Sequence, residues 1–137
     1  MASARLRRII QDYPQIEMNH HAFALAPDIN AISRMFGGAA DGKAEIMGHW
    51  EAAARHPDGE AIRVDLMRSR EFPYPYSMPG LLACEAAQVQ GGMTAYWEMF
   101  DRVQHAHAVE AINIADPVVL KACAADIGLD TTRWEAD

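Results

Sequence analysis

Residues 77–107 read SMPGLLACEAAQVQGGMTAYWEMFDRVQHAH, and this stretch decides the fold. Ser77, with Pro79 two residues later, is a typical helix start in which Ser77 is the N-cap. The Gly91–Gly92 pair interrupts the helical pattern. Beyond it, apolar side chains recur at the spacing of an amphipathic helix, namely Met93, Tyr96, Trp97, Phe100 and Val103. The stretch therefore predicts two helices, Met78–Gln90 and Met93–His107, that form an antiparallel hairpin.

The first helix of this hairpin is apolar on more than one side. Its alanines form one face, and other faces carry Leu81, Leu82, Cys84 and Val89. An apolar surface of that width is typical of a helix that is covered by more than one neighbour. We therefore expect this helix to be buried on more than one side.

Downstream of the hairpin, the sequence contains clear helix start and stop signals. Asp116–Pro117 begins a helix, and Gly128 is placed to end it in a left-handed C-cap. The core side of that helix contains Val118, Val119, Leu120, Cys123 and Ile127. Asp130, followed by two threonines, is typical of the cap of one more helix.

Upstream of the hairpin, three shorter helices are expected. Asp28 caps the first, which ends at Gly37–Gly38, and the others cover about residues 41–56 and 60–68. Residues 69–77 contain Phe72-Pro73-Tyr74-Pro75-Tyr76, where each proline favours extended geometry in the aromatic residue before it. This segment predicts a packed, extended connector.

The N-terminal part of the chain has a different pattern. Residues 4–13 have the apolar spacing of a short helix that Pro14 ends, and the residues from Ile16 to Leu25 alternate as in a β-strand. A single strand at about residues 15–25 needs a partner for stability. That partner is either further strands or a second copy of the chain.

The composition excludes several classes of protein. The 137 residues contain 12 Lys and Arg against 19 Asp and Glu, a net charge of −7. An acidic surface repels phosphate groups, so we expect neither nucleic-acid binding nor attachment to a membrane, and Arg5, Arg7 and Arg8 are expected on a solvated helix face. The chain shows no signal-peptide core and no apolar run long enough for a membrane span, so a cytoplasmic protein is expected.

The histidines and cysteines do not form a recognisable metal site. His20 and His21 are adjacent on the expected strand and point to opposite sides, and no HxxxH or HExxH spacing occurs. We therefore expect no metal and no cofactor. Cys84 and Cys123 are 39 positions apart, which excludes an adjacent redox pair.

Each cysteine lies on an apolar helix stripe, where a free thiol behaves as a small buried side chain. A reactive thiolate would need a nearby cation or helix N-terminus to lower its pKa. Cys84 lies in the second turn of its helix and is the better candidate for a reactive thiol.

The order of these elements resembles that of a known family. The segments that carry the resemblance are residues 4–10 (ARLRRII), 49–50 (HW), 76–79 (YSMP), 83–88 (ACEAAQ), 114–120 (IADPVVL) and 127–130 (IGLD). They are similar to the DsbA family of thiol-disulfide oxidoreductases, particularly its FrnE-like branch, in which a helical domain is inserted into a thioredoxin fold after the second strand. The resemblance implies a mostly α chain taken from an α/β parent. Residues 1–26 would be a helix and strand of the thioredoxin-like part, and residues 27–137 the helical insertion domain.

The parent activity implied by the resemblance is dithiol-disulfide exchange. The family's CxxC and cis-proline loop have no counterpart here, so no catalytic residue is carried over and the chain is expected to be inactive. Its expected role is to shape a groove for a peptide or small thiol substrate. The groove candidates are Phe72, Tyr74, Tyr76 and Met78.

Two other functions fit the same sequence. The chain could be a non-catalytic helical interaction module that forms a homodimer by pairing the strand Ile16–Leu25 across a two-fold axis. It could also be related to glutathione-dependent isomerases of the 2-hydroxychromene-2-carboxylate type, whose helical insert has the same position. The serine nucleophile of those enzymes would precede Met1.

Overall fold

The computed structural model describes residues 2–16, 22–59 and 61–136, and this part of the chain is mostly helical. It also contains a short 3-10 helix, Pro57–Gly59. The α-helices of the described residues are α1 (Ala2–Asp12), α2 (Ala31–Phe36), α3 (Ala39–Ala54), α4 (Val64–Ser69), α5 (Met78–Ala108), α6 (Pro117–Asp126) and α7 (Thr131–Ala136).

The predicted strand is not shown. Its middle, residues 17–21, lies outside the described residues, and its described flanks, 15–16 and 22–25, are not in a strand. The mostly α fold class is thus confirmed for the described residues.

The predicted hairpin is present as two arms of α5, residues 78–90 and 93–108. Between them, Gly91 has φ −132° and ψ 16°, and Gly92 has φ +66° and ψ −160°. The arms fold back on each other, and Gly80 of the first arm lies beside Val103 of the second, 23 positions later. A Cβ placed on Gly80 would be 3.4 Å from the Val103 side chain. The glycine pair therefore makes the turn that lets the two arms share one core.

The caps predicted at the C-terminal helices are confirmed. The Asp116 carboxylate accepts a hydrogen bond from the Val118 N–H at 2.9 Å and caps α6. Gly128, at φ +80°, follows in the left-handed conformation. The Asp130 carboxylate accepts hydrogen bonds from the backbone N–H groups of Thr132 and Arg133 at 3.0 and 3.2 Å, and so begins α7.

Ser77 begins α5 but does not cap it through its side chain. Its hydroxyl instead donates to the Ala26 carbonyl and accepts from the Ala26 N–H, each at 3.0 Å, and the Ser77 N–H donates to the same carbonyl at 2.8 Å. Three hydrogen bonds thus fasten two chain segments that are 51 positions apart. Ser77 is thus the N-cap residue, as predicted, but its side chain makes no cap hydrogen bond because this distant backbone engages the hydroxyl.

Helix α4 begins later than predicted, at Val64 rather than near residue 60. The Arg63 N–H donates to the carbonyl of Ala108, at the end of α5, at 2.8 Å. Arg63 has the non-helical φ of −97° and ψ of 70°. This hydrogen bond to α5 therefore holds Arg63 outside helical geometry, and α4 begins at the next residue.

The interior of the described part consists of three apolar clusters. The first joins both arms of α5 to α6, the second lies under α2, and the third lies between α3, α4 and the loop after α5. The buried members of the first are Ala83, Cys84, Ala87, Ala95, Tyr96, Met99, Val103, Ala106, Ile114, Leu120, Cys123 and Ala124. Among the side chains that the structure describes in residues 6–16 and 22–25, none belongs to any of the three. None of the described helices combines the length and the apolar character that crossing a membrane requires.

Replacing Gly92 tests the turn between the two arms. Its φ and ψ lie in a region that side-chain-bearing residues almost never adopt, so Gly92→Ala is expected to lower the free energy of unfolding by about 1–3 kcal/mol. Gly48 of α3 is the matched control, because it is exposed and a Cβ there meets nothing within 4 Å. Gly48→Ala should raise the free energy of unfolding by about 0.5–1 kcal/mol. Urea unfolding followed by circular dichroism measures both, and an unchanged Gly92→Ala protein would contradict the role given to this turn.

Candidate functional site

The aromatic residues of the 72–76 segment join two of the apolar clusters. Phe72 packs into the cluster of α3 and α4, Tyr76 packs into the cluster under α2, and Tyr74 contacts both. Between them Pro75 is buried. The prolines hold the backbone extended, so that successive aromatic rings reach different partners. The predicted packed connector is confirmed.

Tyr74 is the centre of a polar and aromatic group inside this interface. Its hydroxyl lies 2.9 Å from Nε2 of His107, at hydrogen-bond distance. The rings of Tyr74, His107 and Trp50 contact one another edge to face, with centroid separations of 5.0–6.0 Å. This group joins α3, the 72–76 segment and the second arm of α5 at one point.

Burial keeps both polar members of the group neutral. His107 is only 7% exposed, and burial lowers its pKa to about 4. Burial also raises the pKa of Tyr74 to about 12, although the Trp50 indole opposes the shift. At neutral pH neither side chain exchanges a proton readily. The pair therefore serves packing rather than acid–base chemistry.

The four groove candidates do not line one groove. Phe72 lines a surface pocket of about 500 Å³, whereas Tyr74 and Tyr76 are half-buried in the clusters just described. Met78 is half-buried at the first residue of α5. The structure thus brings Phe72 and Tyr74 together, and Tyr74 and Tyr76 together, through the core.

The pocket beside Phe72 is basic, but its cations are already engaged. Lys43 Nζ donates to the carbonyls of Arg70 and Phe72 and lies 5.3 Å from the centroid of the Phe72 ring. Arg68 pairs with Glu51 at 2.5 Å, and Arg70 Nε donates to the Ala111 carbonyl at 2.9 Å. These cations hold neighbouring side chains and backbone in place.

Both cysteines are buried in the cluster between the hairpin and α6. Cys84 and Cys123 are each 1% exposed and are free thiols. Burial, aided by the charge of Glu85, raises the pKa of Cys84 to about 12. Burial also raises the pKa of Cys123, against the lowering effect of Arg102. In this conformation the candidate reactive thiol Cys84 is therefore protonated and shielded.

The described histidines show no converging metal ligands. His49 lies beside Glu45 at the surface, and His105 contacts Glu110 at 3.1 Å. Among the described residues, no group of three or more His, Cys, Asp or Glu side chains is placed to hold an ion. His20 and His21 lie outside those residues.

A second, larger groove of about 690 Å³ lies along the first arm of α5, beside α7. Trp134 closes one side, and its indole N–H donates to the Ala83 carbonyl at 3.0 Å. The floor is apolar, and the ionisable residues that line it are Glu85 and Glu135. Leu82 and Val89 on its wall are 60% and 59% exposed.

Sequence reasoning missed His107 as an interior residue, although a signal for it exists. His107 continues the stripe of Tyr96, Met99 and Val103 at helical spacing, which places it on the buried side of the second arm. The sequence also contains an indication of the 690 Å³ groove, because the apolar surface of the first arm is wider than one neighbouring helix can cover.

No protein-family model matches this chain, and no curated protein matches it.

The neutral state of His107 makes stability depend on pH. The unfolded chain binds a proton at this histidine near its ordinary pKa of 6.5, whereas the folded chain resists protonation down to about pH 4. The stability that the neutral His107 contributes is therefore fully present above about pH 6.5. It is lost as the pH falls from that value to about pH 4, and below pH 4 the free energy of unfolding no longer changes because of this group. Between pH 7.5 and pH 5 the loss from this group is expected to be about 2 kcal/mol.

Urea unfolding at the two pH values measures this loss. His107→Gln cannot titrate but retains a polar group for the Tyr74 hydroxyl, so its loss should be about 2 kcal/mol smaller than that of the unsubstituted chain. His49→Gln, at an exposed histidine of α3, is the control and should behave like the unsubstituted chain. Equal pH dependence in all three proteins would contradict the neutral, buried state of His107.

Proposed function

We propose that this chain is the helical insertion domain of a DsbA/FrnE-like thioredoxin-fold oxidoreductase, and that by itself it does not catalyse thiol-disulfide exchange. Residues 27–137 form the insertion domain, and residues 1–26 belong to the thioredoxin-like part. The observation that carries the proposal is the close packing of three of the segments that resemble that family, residues 83–88, 114–120 and 127–130.

The parts of the chain that contain those segments are joined by two hydrogen bonds and by a shared apolar cluster. Residues 83–88 lie on the first arm of α5, and residues 116–130 contain α6 and its caps. The Gln90 side chain donates to the Asp130 carbonyl at 3.0 Å and accepts from the Asp130 N–H at 3.2 Å. Cys84, Ala87, Leu120 and Cys123 share one cluster. These segments of α5 and α6 thus form one helical unit, which supports a domain-level relationship.

The state of the thiols supports the absence of activity. Dithiol exchange starts with attack by a thiolate on a disulfide sulfur, and it needs access to that sulfur. Cys84 and Cys123 are buried, and burial raises the pKa of both thiols. The CxxC that performs the chemistry in the family would therefore come from outside this chain.

Within such a parent, the 72–76 segment is the part of the domain that we assign to the substrate side. Phe72 is half-buried and lines the 500 Å³ pocket, and Tyr74 and Tyr76 fix the segment from behind. A rigid segment of this kind shapes a groove for a peptide or small thiol. Both cysteines of the chain are free, and free cysteines are typical of cytoplasmic proteins, which supports a cytoplasmic location.

Thiol chemistry tests the proposal. The native chain should reduce insulin disulfides no faster than a Cys84→Ala/Cys123→Ala variant does. Its two thiols should react with an aromatic disulfide reagent at least about a hundredfold more slowly at pH 8 than they do in denaturant, because burial lowers the thiolate fraction. Insulin reduction that is lost in the single variant Cys84→Ala would overturn the proposal.

A second candidate function is favoured by the exposed apolar residues of the 22–29 segment. Phe23, Leu25 and Ile29 are each more than 70% exposed. A homodimer formed by pairing the strand Ile16–Leu25 would cover the first two of them. Amide hydrogen exchange tests this function: protection of residues 16–25 that rises with protein concentration supports it, and fast exchange at every concentration excludes it.

A further inference from the structure

Helix α1 has an apolar side that nothing in the described structure covers. Leu6, Ile9 and Tyr13 follow the i, i+3, i+7 spacing of one helix face, and all three are exposed, with Ile9 at 45%. Among the described residues, α1 lacks packing of the kind that joins α2 to α3 or α5 to α6. An amphipathic helix of eleven residues is only marginally stable without such packing.

The 690 Å³ groove is the other uncovered apolar surface. The first arm of α5 buries Ala83, Cys84 and Ala87 against the second arm and α6, whereas its outer stripe of Leu82, Ala86 and Val89 lines the open groove. The sequence predicts burial of this arm on more than one side, and the described residues leave this outer stripe open. Small Ala86 at the centre of the stripe allows close approach of another helix.

The helix and the groove are complementary in charge and in length. The sequence of α1 contains arginines at positions 5, 7 and 8 and one acidic residue, Asp12. The ionisable residues of the groove are Glu85 and Glu135, and Glu135 also pairs with Lys121 at 2.8 Å. Eleven helical residues span about 16 Å and the first arm spans about 20 Å, so one fits along the other.

From these observations we propose that α1 of a second copy of this chain packs in the groove between the first arm of α5 and α7. The exchange is mutual in a two-fold dimer, so each copy covers the groove of the other. Leu6 and Ile9 lie against Leu82, Ala86 and Val89, and Arg8 lies near Glu85. This contact does not involve the cysteines, so it stands or falls separately from the proposed function.

Sedimentation equilibrium of the full chain over a range of concentrations tests the contact. The chain should dimerise, and Ile9→Asp on α1 and Val89→Asp in the groove should each weaken the dimer by about tenfold or more, since each places a charge in an apolar contact. Met35→Asp is the matched control, because Met35 is an exposed apolar residue of α2 outside the groove. Glu85→Lys should also weaken the dimer, whereas Glu98→Lys on the exposed side of the second arm should not.

A cross-linking experiment identifies the occupant of the groove. Mixed Ile9→Cys and Val89→Cys chains should form a disulfide-linked heterodimer under mild oxidation, while the buried native thiols stay reduced. A monomer at all concentrations, or a dimer that is insensitive to both Asp variants, overturns the proposal. So does an internal disulfide without a linked dimer in the double variant Ile9→Cys/Val89→Cys, because the helix would then occupy the groove of its own chain. Circular dichroism of each variant confirms that the helical content is retained.

Discussion

The packing of the two arms of α5 is the constraint on which the rest of the structure depends. The arms meet because Gly91 and Gly92 leave helical geometry, and they approach closely where Gly80 lies against Val103. Their joint surface carries the cluster to which α6 adds Leu120 and Cys123. Helix α7 is then held by Trp134, which donates to a carbonyl of the first arm. Without the glycine turn, these helices would have no common core.

The helices before the hairpin are attached through polar contacts as well as through apolar ones. Tyr74 connects to His107 inside the interface, Arg70 donates to the Ala111 carbonyl, and Arg63 donates to the Ala108 carbonyl. Ala111 itself is buried and adopts a positive φ of 51°. A residue with a side chain rarely adopts that conformation unless its surroundings impose it. The loop after α5 is therefore shaped by what packs on it rather than by its own preference.

Much of this arrangement follows from local sequence patterns, and the remainder depends on distant partners. The glycine break, the Asp116 and Asp130 caps and the apolar stripes act over a few residues, so the hairpin, α6 and α7 were predictable. Ser77 is different, because its hydroxyl bonds to Ala26 rather than to its own helix. The start of α4 and the burial of His107 likewise depend on residues far away in sequence. The middle of the predicted strand, residues 17–21, lies outside the described residues, so the strand stays a prediction, as does the family relationship.

The three hydrogen bonds between Ala26 and Ser77 have a consequence for the ancestry of the chain. They place the entry and the exit of residues 27–76 side by side, so this excursion of fifty residues begins and ends at one point on the hairpin. A segment with adjacent ends is easily gained, lost or replaced during evolution, since its removal leaves only a short gap to close. Helices α2 to α4 thus have the topology of an exchangeable module whose two ends are joined by these three hydrogen bonds.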